Sequence, residues 1–192
     1  MRVATATLIQ QALGSRERNI LRDGMLVLVG TMLLALSAKI QIPFYPVPMT
    51  MQSLVVMMIG AAYGWRLGGL AILAYLAEGA LGLPVFASGA GLAYMMGPTG
   101  GYLVGFLLAA MATGYLAERG YTHSVVGALA VLSLGHVINF VPGYAWLATL
   151  IGPELAFAKG VAPFGYATLL KVGLGAALLP ASWWAVRSWR QG

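Results

Sequence analysis

Charged side chains are too scarce in this sequence to cover a water-soluble fold. They make up 8% of the 192 residues while hydrophobic residues make up 60%, whereas an ordinary soluble domain is about 25% charged. That balance excludes a soluble enzyme and a disordered chain, and the absence of cysteine excludes a disulfide scaffold. An all-α integral membrane protein remains. At roughly 20 residues per spanning helix, the chain holds about six spans with short loops and no soluble catalytic domain beside them. Without cysteine there is no thiol catalysis, Cys-ligated zinc or iron–sulfur cluster. No GxxxxGK[ST] phosphate loop occurs, so ATP-driven transport would need the ATPase on another subunit. The net charge of +6 flanks apolar segments, which points to membrane orientation rather than nucleic acid.

Hydropathy and breakers place spans at 24–42, 50–64, 67–83, 100–117, 124–141 and 167–186. The first stops at Pro43-Phe44-Tyr45-Pro46-Val47-Pro48, a run that cannot continue a helix. Others stop at Gly64-Trp65-Arg66, Pro84, Glu118-Arg119-Gly120 and Pro142-Gly143. Residues 1–23 read as a cytoplasmic segment with the pattern of an interfacial amphipathic helix, 24–188 as the membrane domain, and 189–192 as a tail. With both termini in the cytoplasm, Arg2, Arg16, Arg18, Arg22, Arg66, Arg119, Arg187 and Arg190 all lie inside, and Lys159 is the one cation in an outside loop. The outside loops are longer and built from Pro, Gly and aromatics. The uncharged loop 84–99 reads either as a segment resting on the bilayer or as a lid over a pocket.

An ionisable group inside the membrane costs at least ~2.5 kcal/mol on insertion scales, so each is a candidate site. Lys39, Glu78, His136 and Lys171 qualify, and Gln52 and Tyr102 lie at a similar outer level. His136 with Asn139, and Thr168 with Lys171, are i,i+3 pairs sharing a helix face. Structural roles compete: Lys39 can snorkel, Glu78 can pair with a cation, and His136 can bond within the helices. Lys171 lies deeper than snorkelling favours. No His cluster with metal-ligand spacing occurs.

Three stretches carry a family resemblance. Ile42-Pro43-Phe44-Tyr45-Pro46-Val47-Pro48-Met49-Thr50-Met51-Gln52 resembles the IP…PVPxTxQ signature of the biotin transporter family BioY. So do Gly79-Ala80-Leu81-Gly82-Leu83-Pro84-Val85-Phe86-Ala87 with Gly97-Pro98-Thr99-Gly100-Gly101-Tyr102-Leu103-Val104-Gly105-Phe106, and Gly160-Val161-Ala162-Pro163-Phe164 followed by Lys171. The resemblance covers about residues 25–180. It implies the S component of an energy-coupling factor (ECF) transporter: six helices, an outward biotin pocket closed by loops, no cofactor, and no enzymatic activity. It also implies a multi-pass protein of the prokaryotic cell (inner) membrane, with a transmembrane T component and ABC-type ATPases as partners.

Such a pocket needs apolar walls, a few hydrogen-bonding groups and a cation. Phe44, Tyr45, Phe86, Tyr94, Trp146 and Phe164 are the candidate walls. Gln52, Thr168, His136 and Asn139 are the candidate hydrogen-bonding groups, with Tyr102 at the same level and Lys171 as the cation. Gly89 is among the glycines that let the loop fold close to a ligand. The small residues Gly30, Thr31, Ala35 and Ala38 stand where S components carry AxxxA and are the candidate partner-helix contact, packing within the chain being the alternative. The sequence departs from the family pattern at Thr168, where an acidic residue is common, at His136, where an Asn is expected, and at Glu78, where an apolar residue is usual. An intramembrane enzyme using Glu78 and His136, or an autonomous secondary transporter, are the competing readings.

Overall fold

The computed structural model describes residues 6–14 and 19–191. Five helical stretches are long and apolar enough to cross a membrane: 20–39, 52–80, 100–117, 125–151 and 153–190. In chain order the helices are α1 (Leu8–Leu13), α2 (Ile20–Lys39), α3 (Gln52–Ala80), α4 (Gly91–Met95), α5 (Gly100–Ala117), α6 (Val125–Ile151), α7 (Pro153–Gly160) and α8 (Gly165–Gln191). A two-stranded antiparallel ribbon, β1 (Gln41–Ile42) and β2 (Met49–Thr50), spans the proline-rich turn, with Gln41 opposite Thr50 and Ile42 opposite Met49. The cis Tyr45–Pro46 peptide lies in that turn.

The second of the five stretches is two rods. Gly64 breaks α3 with φ 84° and ψ 171°, a conformation that disfavours any side chain. The limbs 52–63 and 65–80 then fold back on each other, so that a Cβ on Gly68 would stand 3.0 Å from the Gly60 Cα. The chain therefore has the six rods read from hydropathy, with almost no loop between the second and third. The break frees the Trp65 N–H, and the Glu118 carboxylate at the end of α5 accepts from it at 3.2 Å. On the other side of the limb, α5 approaches so closely that a Cβ on Gly60 would meet the Ala110 carbonyl and one on Gly114 would lie 2.6 Å from the Gly64 carbonyl carbon. Small residues permit this contact, which replaces hydrophobic drive in lipid.

Three boundaries differ from the sequence reading. The first span begins at Ile20 rather than 24, because the Asn19 side chain caps α2 by accepting from the Leu21 and Arg22 N–H groups. The fifth does not stop at Pro142. It runs through to Ile151 and ends at Gly152, φ 85°; a proline removes one intrahelical donor, and a spanning helix tolerates this when neighbours repack around it. The last span starts at Gly165, directly after a 3₁₀ turn at Ala162–Phe164. At the N-terminus, α1 is a short capped helix with a Thr7–Gln10 capping box, packed against α3 and α8; residues 1–5 and 15–18 of the expected interfacial segment lie outside the described residues.

The small-residue face of α2 points inward. Gly30, Thr31 and Ala38 are buried and Ala35 is half-buried. A Cβ on Gly30 would lie 3.2 Å from the Ala71 Cβ. Within this chain α3 packs on that face, the alternative noted from the sequence. The opposite face, with Leu28, Met32 and Leu36, is exposed. Exposed leucines, valines and tryptophans on α2, α6 and α8 form the apolar outer belt of a multi-pass membrane protein.

Candidate functional site

At the end of the bundle opposite the Gly64 hairpin, a small cavity is walled by α3, α5, α6, α8 and the two loops. Its construction starts from the proline turn. Because residues 43–48 cannot be helical, the chain leaves α2, forms the ribbon, and delivers Thr50 to the start of α3. There the Thr50 hydroxyl accepts from the Gln52 N–H at 3.3 Å. The Thr50 carbonyl and the Ser53 hydroxyl accept from the Lys171 Nζ at 2.6 and 3.0 Å.

Lys171 is 7% exposed. Two of its three donors are used by neutral groups, and among the described residues no carboxylate pairs with it. Neither Glu78 nor His136, two of the other ionisable groups within the spans, bonds to it. A buried cation without a counter-charge is costly, and its remaining donor belongs to the cavity wall.

Gln52 and Asn139 also line the cavity, and each buries a polar atom without a close hydrogen-bond partner: Gln52 Nε2, whose amide lies on the Tyr75 side, and Asn139 Oδ1, which packs against Gly105. One is a donor and the other an acceptor, and each left unmade costs about 1–3 kcal/mol. The apolar walls are Tyr94, Tyr102, Phe106, Phe140 and Phe164. Phe140 meets Tyr102 edge-on at 6.2 Å and Phe164 at 6.0 Å. The Tyr102 hydroxyl donates to the Gly160 carbonyl at 2.7 Å, tying α5 to the end of α7.

The loop 81–99 folds over this cavity. The Tyr75 hydroxyl donates to the Val85 carbonyl at 2.9 Å, Lys39 Nζ to Phe86 at 2.6 Å, Gln41 Nε2 to Ala87 at 3.2 Å, and Trp146 Nε1 to Gly97 at 2.9 Å. Phe86 is buried over Gly79, where a Cβ would overlap its ring. Tyr94 stacks on Phe86 with centroids 5.0 Å apart, and a Cβ on Gly89 would lie 2.6 Å from the Tyr94 ring.

Of the residues singled out from the sequence, Lys171, Thr168, Asn139, Gln52, Tyr94, Tyr102 and Phe164 line the cavity. Phe86 and Gly89 stand behind Tyr94. Phe44 is partly exposed, its ring 6.5 Å from Phe164, and Tyr45 is exposed. Trp146 anchors the loop. His136 is buried off the wall, its Nδ1 2.9 Å from the Leu132 carbonyl and its Nε2 without a partner. Val47, Pro48, Thr50, Ser53, Ala87, Thr99, Leu103, Phe106 and Phe140 also line the cavity. Most of these are apolar or small residues within apolar runs and carry no signal of their own. Val47, Pro48, Thr50, Ala87, Thr99, Leu103 and Phe106 lie inside the signature stretches, which is the one mark that points to them, while Ser53 and Phe140 lie outside.

A model of the BioY family matches residues 6–188. A probable biotin transporter BioY of Pyrococcus horikoshii is 37% identical over 147 residues, covering 74% of this chain and 85% of that protein. The biotin transporter BioY of Rhizobium etli is 42% identical over 134 residues, covering 66% of this chain and 71% of that protein. The biotin transporter BioY of Rhodobacter capsulatus is 39% identical over 172 residues, covering 88% and 80%. A crystal structure of the S-component for biotin from an ECF-type ABC transporter superposes with a TM-score of 0.72 at 25% identity, covering 90% of this chain and 92% of that one. By sequence along nearly its whole length and by fold, the chain belongs to the BioY family.

Proposed function

We propose that the chain is the biotin-binding S component of an ECF biotin uptake transporter and not an enzyme. The observation that carries the reading is the set of polar side chains on an otherwise aromatic cavity wall, with Lys171 bonded only to neutral groups. Biotin has an apolar chain and thioether ring for the aromatic walls. Its ureido group offers one acceptor and two donors, which suit the side-chain amides of Gln52 and Asn139 on the cavity wall. Lys171 keeps a donor for an oxygen of the ligand, and Thr168 adds an uncharged hydroxyl to the wall.

The arginine end, with Arg66, Arg119, Arg187 and Arg190, faces the cytoplasm by the positive-inside rule, and the cavity opens to the outside of a prokaryotic inner membrane. The chain has no phosphate loop, so a T component and ABC-type ATPases complete the transporter. Leu28 and Met32, exposed on the half of α2 nearer the arginine end, are a surface open to a partner helix.

The test is thermal stability of the detergent-extracted protein with and without biotin, since a ligand that binds only the folded state raises the midpoint. A rise that saturates with biotin is expected. No rise up to millimolar biotin overturns the reading. Co-expression with a T component and two ATPase subunits should yield a complex that hydrolyses ATP, which this chain alone should not do.

A further inference from the structure

We propose that the outer face of the loop covering the cavity is a membrane-binding surface, seated in the interfacial layer of the leaflet on the cavity side. From residue 79 to residue 117 the sequence has no charged residue. Within that stretch Leu81, Leu83, Leu92 and Met96 are 87, 51, 63 and 70% exposed. The same loop is held by its inner side: its Val85, Phe86, Ala87 and Gly97 carbonyls are taken by Tyr75, Lys39, Gln41 and Trp146. Its apolar tips are therefore displayed on a fastened scaffold and cannot turn inward.

A cluster of large apolar side chains held in water is unfavourable and marks an interaction surface. The occupant follows from continuity. The Lys39 and Gln41 bonds place residues 86–87 beside the end of α2, whose Leu33, Leu36 and Ile40, followed by Ile42, are exposed in the lipid-facing belt. Leu81 directly follows α3, which exposes Leu70 and Leu73. The loop tips thus extend a surface that lipid already covers, and no charge interrupts it between Glu78 and the end of α4. Tyr45 and Tyr166, each 85% exposed at the same end of the bundle, have the amphipathic rings that favour the headgroup level. The loop is a lid with two faces: Tyr94 toward the ligand cavity and Leu92 and Met96 toward lipid.

The chain contains no cysteine, so single nitroxide labels can be placed without other changes. We would label Leu83→Cys, Leu92→Cys and Met96→Cys in lipid nanodiscs and measure collision with lipid-soluble oxygen and with a water-soluble nickel chelate. Leu36→Cys is the lipid-facing reference and Lys159→Cys the water-facing one. The expected result is an oxygen-to-nickel ratio at Leu92 and Met96 several-fold above that at Lys159 and close to that at Leu36. Ratios at both positions equal to that at Lys159 overturn the inference. Saturable stabilisation of the same variants by biotin, measured separately, shows whether the ligand assignment stands independently of the lid's surroundings.

Discussion

The two ends of the bundle treat their polar groups in opposite ways. At the hairpin end nearly every polar group has a neighbour. Glu118 accepts from Trp65 N–H. The guanidinium groups of Arg66, Arg119 and Arg187 lie over the rings of Trp65, Tyr115 and Trp183. Thr7 and Asn19 cap their helices. Among the described residues His123 Nε2 is the exception there. At the cavity end, Gln52 and Asn139 each leave an atom unmatched and Lys171 lacks a counter-charge. Since an unmatched buried group lowers stability, the difference separates a region built for stability from one that keeps polar capacity for a ligand. Substitutions at the two ends should therefore move different observables.

The largest effect is expected in the glycine contact between α3 and α5, below the cavity. Gly60→Val puts methyl groups against the Ala110 carbonyl and the Thr113 hydroxyl. Overpacking of this kind typically costs about 1–3 kcal/mol or more, and with backbone on the other side the cost should fall at the upper end. Detergent melting should drop sharply. A midpoint like that of the parent would show that the close approach is not needed.

Next comes Lys171→Met, which keeps the volume and removes the donors. Biotin affinity should weaken by about 1.5–3 kcal/mol, the usual worth of a hydrogen bond to a charged group. The biotin-free protein should melt no earlier, because an unpaired buried charge is gone. Unchanged affinity with a less stable protein would make the Thr50 and Ser53 bonds of Lys171 structural and move it to the other side of the comparison. Repeating the titration with biotin methyl ester tells whether the carboxylate is the group that Lys171 meets: the ester should then lose affinity on the parent and not on the variant.

A matched pair tests the contrast directly. Asn139→Leu and Gln52→Leu remove unmatched atoms, so each should cost about 0.5–1.5 kcal/mol of biotin affinity with melting unchanged or raised. Glu118→Leu leaves the Trp65 N–H without its acceptor and should cost about 1–3 kcal/mol of stability with biotin affinity unchanged. If Asn139→Leu destabilises and Glu118→Leu impairs binding, the division between the two ends fails.

The smallest effect is in pH dependence. Burial, with help from Arg187, lowers the His123 pKa from its usual 6.5. Its ring packs edge-on to Trp183 at 4.2 Å. The fold thus prefers the neutral ring. The stability linked to it is present above about pH 6.5, the unfolded value, and is lost as pH falls through the lower folded value. Melting of the parent should decline over that interval, and His123→Asn should flatten the decline without altering biotin binding at neutral pH.

Much of the site was legible because the background is so apolar. Lys171, Thr168, Gln52 and Asn139 stand out against a sequence that is 60% hydrophobic, and their positions in the spans put them at one level. Phe140, outside the signature stretches, was not legible, since an apolar wall residue among apolar residues looks the same as one facing lipid. The neighbour of the small-residue face of α2 was not legible for a related reason. Small residues permit close packing without naming the partner, and here the partner is α3 of the same chain. Pro142 was read as a stop because a proline removes a donor locally, while the surrounding helices that let α6 continue are distant in sequence.

The sequence alone determined that the chain lives in a membrane, that it crosses as six rods, and which end bears the arginines. These are sums over local composition, where each residue contributes its own transfer free energy whatever its neighbours. It also determined, through three motifs, the family. Only the tertiary structure decided which polar groups are matched and which are left open. Lys171 meets Thr50 across 121 positions of chain, and Gln52 and Asn139 come to one wall from different helices. A hydrogen bond depends on distances of a few ångströms between segments that hydropathy treats separately, so the polar wall of this cavity is a property of the packed bundle.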